Sequence, residues 1–183
     1  MTREEALEIL HTMTTSDSLL RHARTVELVM TAYARKLGED ENKWALAGLL
    51  HDADYQAHPD QHPNVIVQLL RERGQQEVAH AISAHYTHWN VPYDTALDKA
   101  LIACDELTGF IVACAQVRPQ RLEGLEVKSV VKKLGQKSFA ASVDREEVRI
   151  GTELFGVDLK EHIAFIINVL QQHQDELQLQ PLS

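Results

Sequence analysis

The stretch that most constrains this chain is Trp44-Ala45-Leu46-Ala47-Gly48-Leu49-Leu50-His51-Asp52. An uncharged, almost wholly apolar run leads straight into an imidazole and a carboxylate. Apolar residues recur at helical spacing on either side, so the run is expected to be a buried helix with the His51-Asp52 pair at its end. Burying both side chains without partners is costly. The fold must therefore supply either a hydrogen-bond network or a metal ion at that point.

The rest of the chain reads as helices. Alternating Val/Ile/Thr/Tyr strands bounded by turn signals are absent, which predicts an all-α fold, a single-domain helical bundle. Thr2 is placed to cap a first helix from Glu4 to Met13. A second helix is expected from Ser18 to Leu37, stopped by Gly38, and a third from Glu41 to the His51-Asp52 pair. Residues 53–64 carry two prolines and two further histidines, His58 and His62, and read as an irregular loop beside that pair. Helices follow over Val65–Arg73, Gln76–His88 and Thr95–Val117. From Arg118 the composition becomes basic at its centre, with Lys128, Lys132, Lys133, Lys137 and Arg145. The chain closes with a helix over Asp158–Leu177 and a frayed polar tail over 178–183. The expected organisation is an N-terminal helix over 1–17, a core over 18–117 and a helical extension over 118–183 packed on that core.

Composition narrows the function. With 18 basic and 27 acidic residues in 183, the formal charge is -9. That argues against a nucleic-acid-coating or anionic-membrane surface, because phosphate backbones are bound by excess Lys and Arg. No apolar run is long enough to span a bilayer and the N-terminus has no signal core. Cys104 and Cys114 sit in apolar patterns that suit free thiols in a reducing compartment. A soluble cytoplasmic protein is expected.

Four polar residues are stranded in apolar helical surroundings: His22, His51, Asp52 and Asp105. Two imidazoles and two carboxylates from three helices suit Fe, Mn, Zn or Co better than a thiolate-seeking metal. Two simpler readings compete. The His51-Asp52 pair could cap backbone groups at the helix end, and His22 with Asp105 could form a buried ion pair without a metal. His11, His162 and His173 read as surface residues. His80 and His88 compete with His85 for a place near the pair.

The order H...HD...D, matched by His22, His51-Asp52 and Asp105, resembles the HD superfamily of metal-dependent phosphohydrolases over roughly residues 18 to 115. Asp54-Tyr55, His58-Pro59, His62-Pro63 and the later KSFAASVDREE resemble a branch of predicted HD hydrolases. The resemblance implies one or two divalent ions. His62 and His85 stand where extra ligands of a two-metal site would lie, and Asp52 would bridge. The implied reaction is hydrolysis of a small phosphorylated metabolite or nucleotide by metal-activated water. Asp54 or His58 would orient ligands or move protons, and Lys128, Lys132, Lys133 or Arg145 would hold phosphate. The competing reading of that basic run is a solvated helix face. Two alternative functions are a di-iron oxygenase on a related ligand set and a regulatory module without chemistry.

Overall fold

The computed structural model describes residues 1–182, and among them every regular element is helical. The chain divides into two compact units, Met1–Ile102 and Ala103–Ser183.

The first unit opens with α1 (Arg3–Met13), where Thr2 and Glu5 form a reciprocal capping box. Next comes α2 (Asp17–Leu37), which ends as expected at Gly38 in the left-handed region, φ 74°. The carboxylate of Asp40 accepts the Lys43 N–H at 3.0 Å and starts α3 (Glu41–Leu50). Trp44, Leu46, Ala47, Leu49 and Leu50 are all buried, so this helix lies inside the unit, as its unbroken apolar run requires. It packs chiefly on α2.

His51 and Asp52 fall just past the last turn of α3 and open a string of turns to residue 57. That string is pinned twice. Thr14 Oγ1 donates to Ala53 O at 2.8 Å, and Gln56 Oε1 accepts the N–H groups of Thr15 and Ser16 at 2.9 and 3.0 Å. A short 3₁₀ turn, Pro59–Gln61, leads into α4 (Asn64–Glu72) and α5 (Gln76–His85). The sequence suggests that α5 runs to His88. It stops at His85, where the ring Nδ1 shares a hydrogen bond with Ile82 O, and a 3₁₀ turn over Thr87–Trp89 takes over. The last helix to begin in this unit is α6 (Ala96–Gln116), and the unit boundary falls within it.

The second unit continues from α6 through α7 (Val127–Leu134), α8 (Arg145–Phe155) and α9 (Leu159–Gln172). The carboxylates of Asp144 and Asp158 cap α8 and α9. Cys104 and Cys114 are buried free thiols, and burial pushes the Cys114 thiol up to about 11. Three expectations need correction. The closing helix ends at Gln172, short of Leu177. The segment after it is not frayed, because Leu177 and Leu179 are buried and Leu122 N–H donates to Leu179 O at 3.2 Å. Ser183, the last residue of the expected tail, lies outside the described residues. His162 is a core residue, not a surface one, and shares a hydrogen bond of 2.8 Å between its Nε2 and Ala103 O.

Candidate metal centre

His22 comes from the second turn of α2 and His51 from the end of α3, and the close approach of these helices brings the two imidazoles together. Gly48 permits that approach. A Cβ there would stand 2.8 Å from Glu27 Cα, Glu27 N and Val26 O, all backbone atoms of α2. The Nε2 atoms of His22 and His51 lie 3.1 Å apart. That spacing suits two ligands of one ion, since donors about 2.1 Å from a metal at right angles are about 3.0 Å apart.

The ring orientations are set by oxygen atoms behind them. His51 Nδ1 lies 2.7 Å from Gly48 O, and His85 Nδ1 lies 2.5 Å from Ile82 O. A backbone carbonyl only accepts, so each Nδ1 carries a proton and Nε2 is the nitrogen turned toward Asp52. His62 Nδ1 lies 2.7 Å from Oδ1 of the fully buried Asp54, whose Oδ2 accepts the Ile66 N–H at 3.0 Å. Asp54 thus joins His62 to the first turn of α4. An imidazole held through one nitrogen by a carbonyl or carboxylate, with the other free to coordinate, is the usual support of a metal ligand.

Asp52 lies at the centre. Its Oδ2 is 3.4 Å from His51 Nε2 and 3.8 Å from His22 Nε2. Its Oδ1 is 3.4 Å from His62 Nε2 and 3.7 Å from His85 Nε2. The two oxygens of one carboxylate therefore face two separate pairs of imidazoles. The same division appears in the donor atoms: those of His22, His51 and Asp52 lie within 4.8 Å of one another, as do those of Asp52, His62 and His85. Burial pushes the Asp52 carboxyl up, but His51 and His85 outweigh it through charge and hydrogen bonding, holding it well below the usual carboxylate range. Asp52 is thus an anion, as a ligand of a divalent cation must be. Imidazoles that can give up a proton to an incoming cation, set around an anionic carboxylate, fit a borderline divalent transition ion.

A family model described as HD domain matches residues 19–115, more than half of the chain. The chain belongs to the HD domain family. Most HD-domain proteins are metal-dependent hydrolases. The chain is also similar to ribonuclease Y of Oleidesulfovibrio alaskensis, with 34% identity over 98 residues. That match covers 51% of this chain and 18% of the relative. No solved structure gives a significant match.

Within this HD chain, four of the expected ligands, His22, His51, His62 and His85, surround the carboxylate of a fifth, Asp52, in the first unit. Asp105 lies on α6 just beyond Ile102, in the second unit. Of the rivals to His85, His80 turns instead to Asp98, with its Nδ1 3.2 Å from Asp98 Oδ2, and His88 is exposed. His58 serves the loop through its backbone, its N–H donating to Asp54 O at 2.8 Å. The residues expected to hold phosphate lie in the second unit. Lys128 is exposed and pairs with Glu126 at 2.9 Å, Lys132 is exposed, and Lys133 lies 4.1 Å from the centroid of the Phe139 ring. The Arg145 guanidinium donates to the carbonyls of Gln136, Phe139, Ala140 and Val143, and so closes the loop before α8.

Sequence reasoning missed Gly48 and Tyr86. The signal for Gly48 is a glycine inside the otherwise apolar run Trp44–Leu50 of α3. Tyr86 stands next to His85 and contacts the His62 ring, with centroids 5.5 Å apart.

Proposed function

We propose that this protein is a metal-dependent phosphohydrolase acting on a small phosphorylated metabolite or nucleotide. The observation that carries this reading is the division of Asp52: one oxygen faces His22 and His51, the other His62 and His85. A carboxylate with a separate imidazole pair at each oxygen is suited to bridge two divalent ions. In this reading Asp105 completes the ligand set, assigned by its place in the H...HD...D order of the HD family. Iron, manganese, zinc and cobalt all match the donors.

Bound there, divalent ions supply the Lewis acidity that makes water a nucleophile near neutral pH and that offsets phosphoryl charge. The protein's own part is positioning. Gly48 O, Ile82 O and Asp54 hold three imidazoles with Nε2 turned to Asp52. Asp54 acts through His62 and is a positioning residue.

The relative named ribonuclease Y is, by that name, an RNA-cleaving enzyme. A formal charge of -9 argues against an RNA-binding face on this chain, so we assign it a small ester rather than a polymer. No helix of the described residues is long and apolar enough to cross a membrane. The buried free thiols Cys104 and Cys114 support a cytoplasmic setting.

Elemental analysis of protein purified without added metal or chelator tests the proposal, followed by a screen of phosphate esters with and without dioxygen. About two equivalents of metal per chain and oxygen-independent release of phosphate are expected. Protein that neither contains metal nor takes it up on titration overturns the proposal. Iron with strictly oxygen-dependent turnover replaces it with the oxygenase reading.

A further inference from the structure

The aromatic rings beside His62 carry an inference that rests on the phosphohydrolase reading. Tyr55 and Tyr86 each meet the His62 imidazole edge to face, with centroids 5.5 Å away in both cases. Trp89 stands against Tyr86 at 5.9 Å, with ring planes 87° apart. The turn after α5 makes this contact. Trp89 N–H donates to Tyr86 O at 3.0 Å, and Asn90 in the left-handed region, φ 52°, closes the turn on Thr87 O.

Positioning of His62 alone does not account for these rings, because Asp54 already holds that imidazole at 2.7 Å. Nor are they core. Tyr55 is 50% exposed and Trp89 38% exposed, two of the five large hydrophobic side chains left exposed among the described residues. Tyr55 directly and Trp89 through Tyr86 both connect by ring contacts to His62, whose imidazole faces Asp52. Large aromatic surface left open beside a polar centre is what a binding site for a flat organic group requires. A base stacks on such a ring without needing its hydrogen-bonding edge, since every base has a π-face.

We propose that Tyr55, Tyr86 and Trp89 form the subsite for the organic half of the substrate and that it takes a nucleobase, so the substrate is a nucleoside phosphate rather than a sugar phosphate. Phosphate lies toward Asp52 and the base stacks on Trp89.

Equilibrium binding of two uncleavable probes to the whole, metal-containing protein tests this. The probes are adenosine 5'-methylenephosphonate and ribose 5-methylenephosphonate, with choline phosphonate as a cationic control. The adenosine probe is expected to bind about tenfold tighter than the ribose probe, the scale of one base-ring stack. Trp89→Ala should bring that ratio near one while leaving metal content and ribose-probe affinity unchanged, and Trp89→Phe should restore it. Equal affinity for the two probes, a ratio that survives Trp89→Ala, or preference for the choline probe each overturns the subsite. Full metal content in the same sample would leave the phosphohydrolase reading intact. A base preference lost in Trp89→Ala but present without metal would keep the subsite and remove that reading.

Discussion

Gly48 in α3 and Glu27 in α2 pass so closely that a Cβ at position 48 would stand 2.8 Å from the Glu27 Cα. The atoms in the way are backbone, so relief requires the two helices to separate. Gly48→Ala is expected to cost about 3 kcal/mol, the upper part of the range for overpacked sites, and to move His51 away from His22. Urea denaturation and metal uptake measure the two effects. An unchanged midpoint would show that the helices part easily.

Asp54→Asn removes the charge behind His62 while leaving the ligand itself in place. Loss of such a support lowers metal affinity by about 10- to 100-fold. Competition against a chromophoric chelator reads this directly, and wild-type affinity would reduce Asp54 to a loop-holding residue through Ile66 N–H alone.

The two faces of Asp52 predict unequal losses. His62→Ala and His85→Ala should each lower metal content from two equivalents to one, since both imidazoles face Oδ1. Asp52→Ala should abolish metal binding and turnover together. Two equivalents retained in His62→Ala would remove His62 from the ligand set.

His162 sets a pH dependence of stability in the second unit. Burial pushes its imidazole below the usual 6.5, against the smaller effect of its bond to Ala103 O. The folded state therefore resists the proton that the unfolded chain accepts. Stability from this residue is full above about 6.5 and is lost as pH falls below that value. His162→Gln, which keeps a donor for Ala103 O and does not titrate, should show a shallower loss between pH 7.5 and 5.5, roughly the span of an unperturbed histidine titration. Denaturant midpoints for the two proteins at each pH make the comparison, and parallel slopes would refute it.

Arg145→Ala should release the 136–144 loop, because the guanidinium donates to four of its carbonyls. At about 1 kcal/mol per bond and incomplete additivity, a loss of about 2–3 kcal/mol is expected. Limited proteolysis should cut that loop first. Lysine should not restore it, since an ammonium lacks the planar fork that reaches several carbonyls.

Where the sequence carries a strong local signal, the structure agrees with it. The all-helical class follows from the apolar period, the stop of α2 from Gly38, and the burial of α3 from a run with no polar side. His22, His51 and Asp52 were legible because a charge or an imidazole in such a helix demands a partner. His162 reads as a surface residue although it lies on the stripe with Ile163, Ile166 and Ile167, because an isolated imidazole in an amphipathic helix carries no local sign of the backbone carbonyl that satisfies it in the core. The helices α7 and α8 stayed hidden in a basic segment whose charges outweigh its few apolar positions.

Residue types and their local period thus determined which side chains could not be left alone, since burial costs depend on composition and spacing along one element. Which atoms meet was decided only by the tertiary structure. Asp52 could have capped a helix end; that its two oxygens face different imidazole pairs depends on α2, α3, α4 and α5 converging. The same holds for Gly48, whose missing Cβ has meaning only against the backbone of Glu27, a contact between residues distant in the chain.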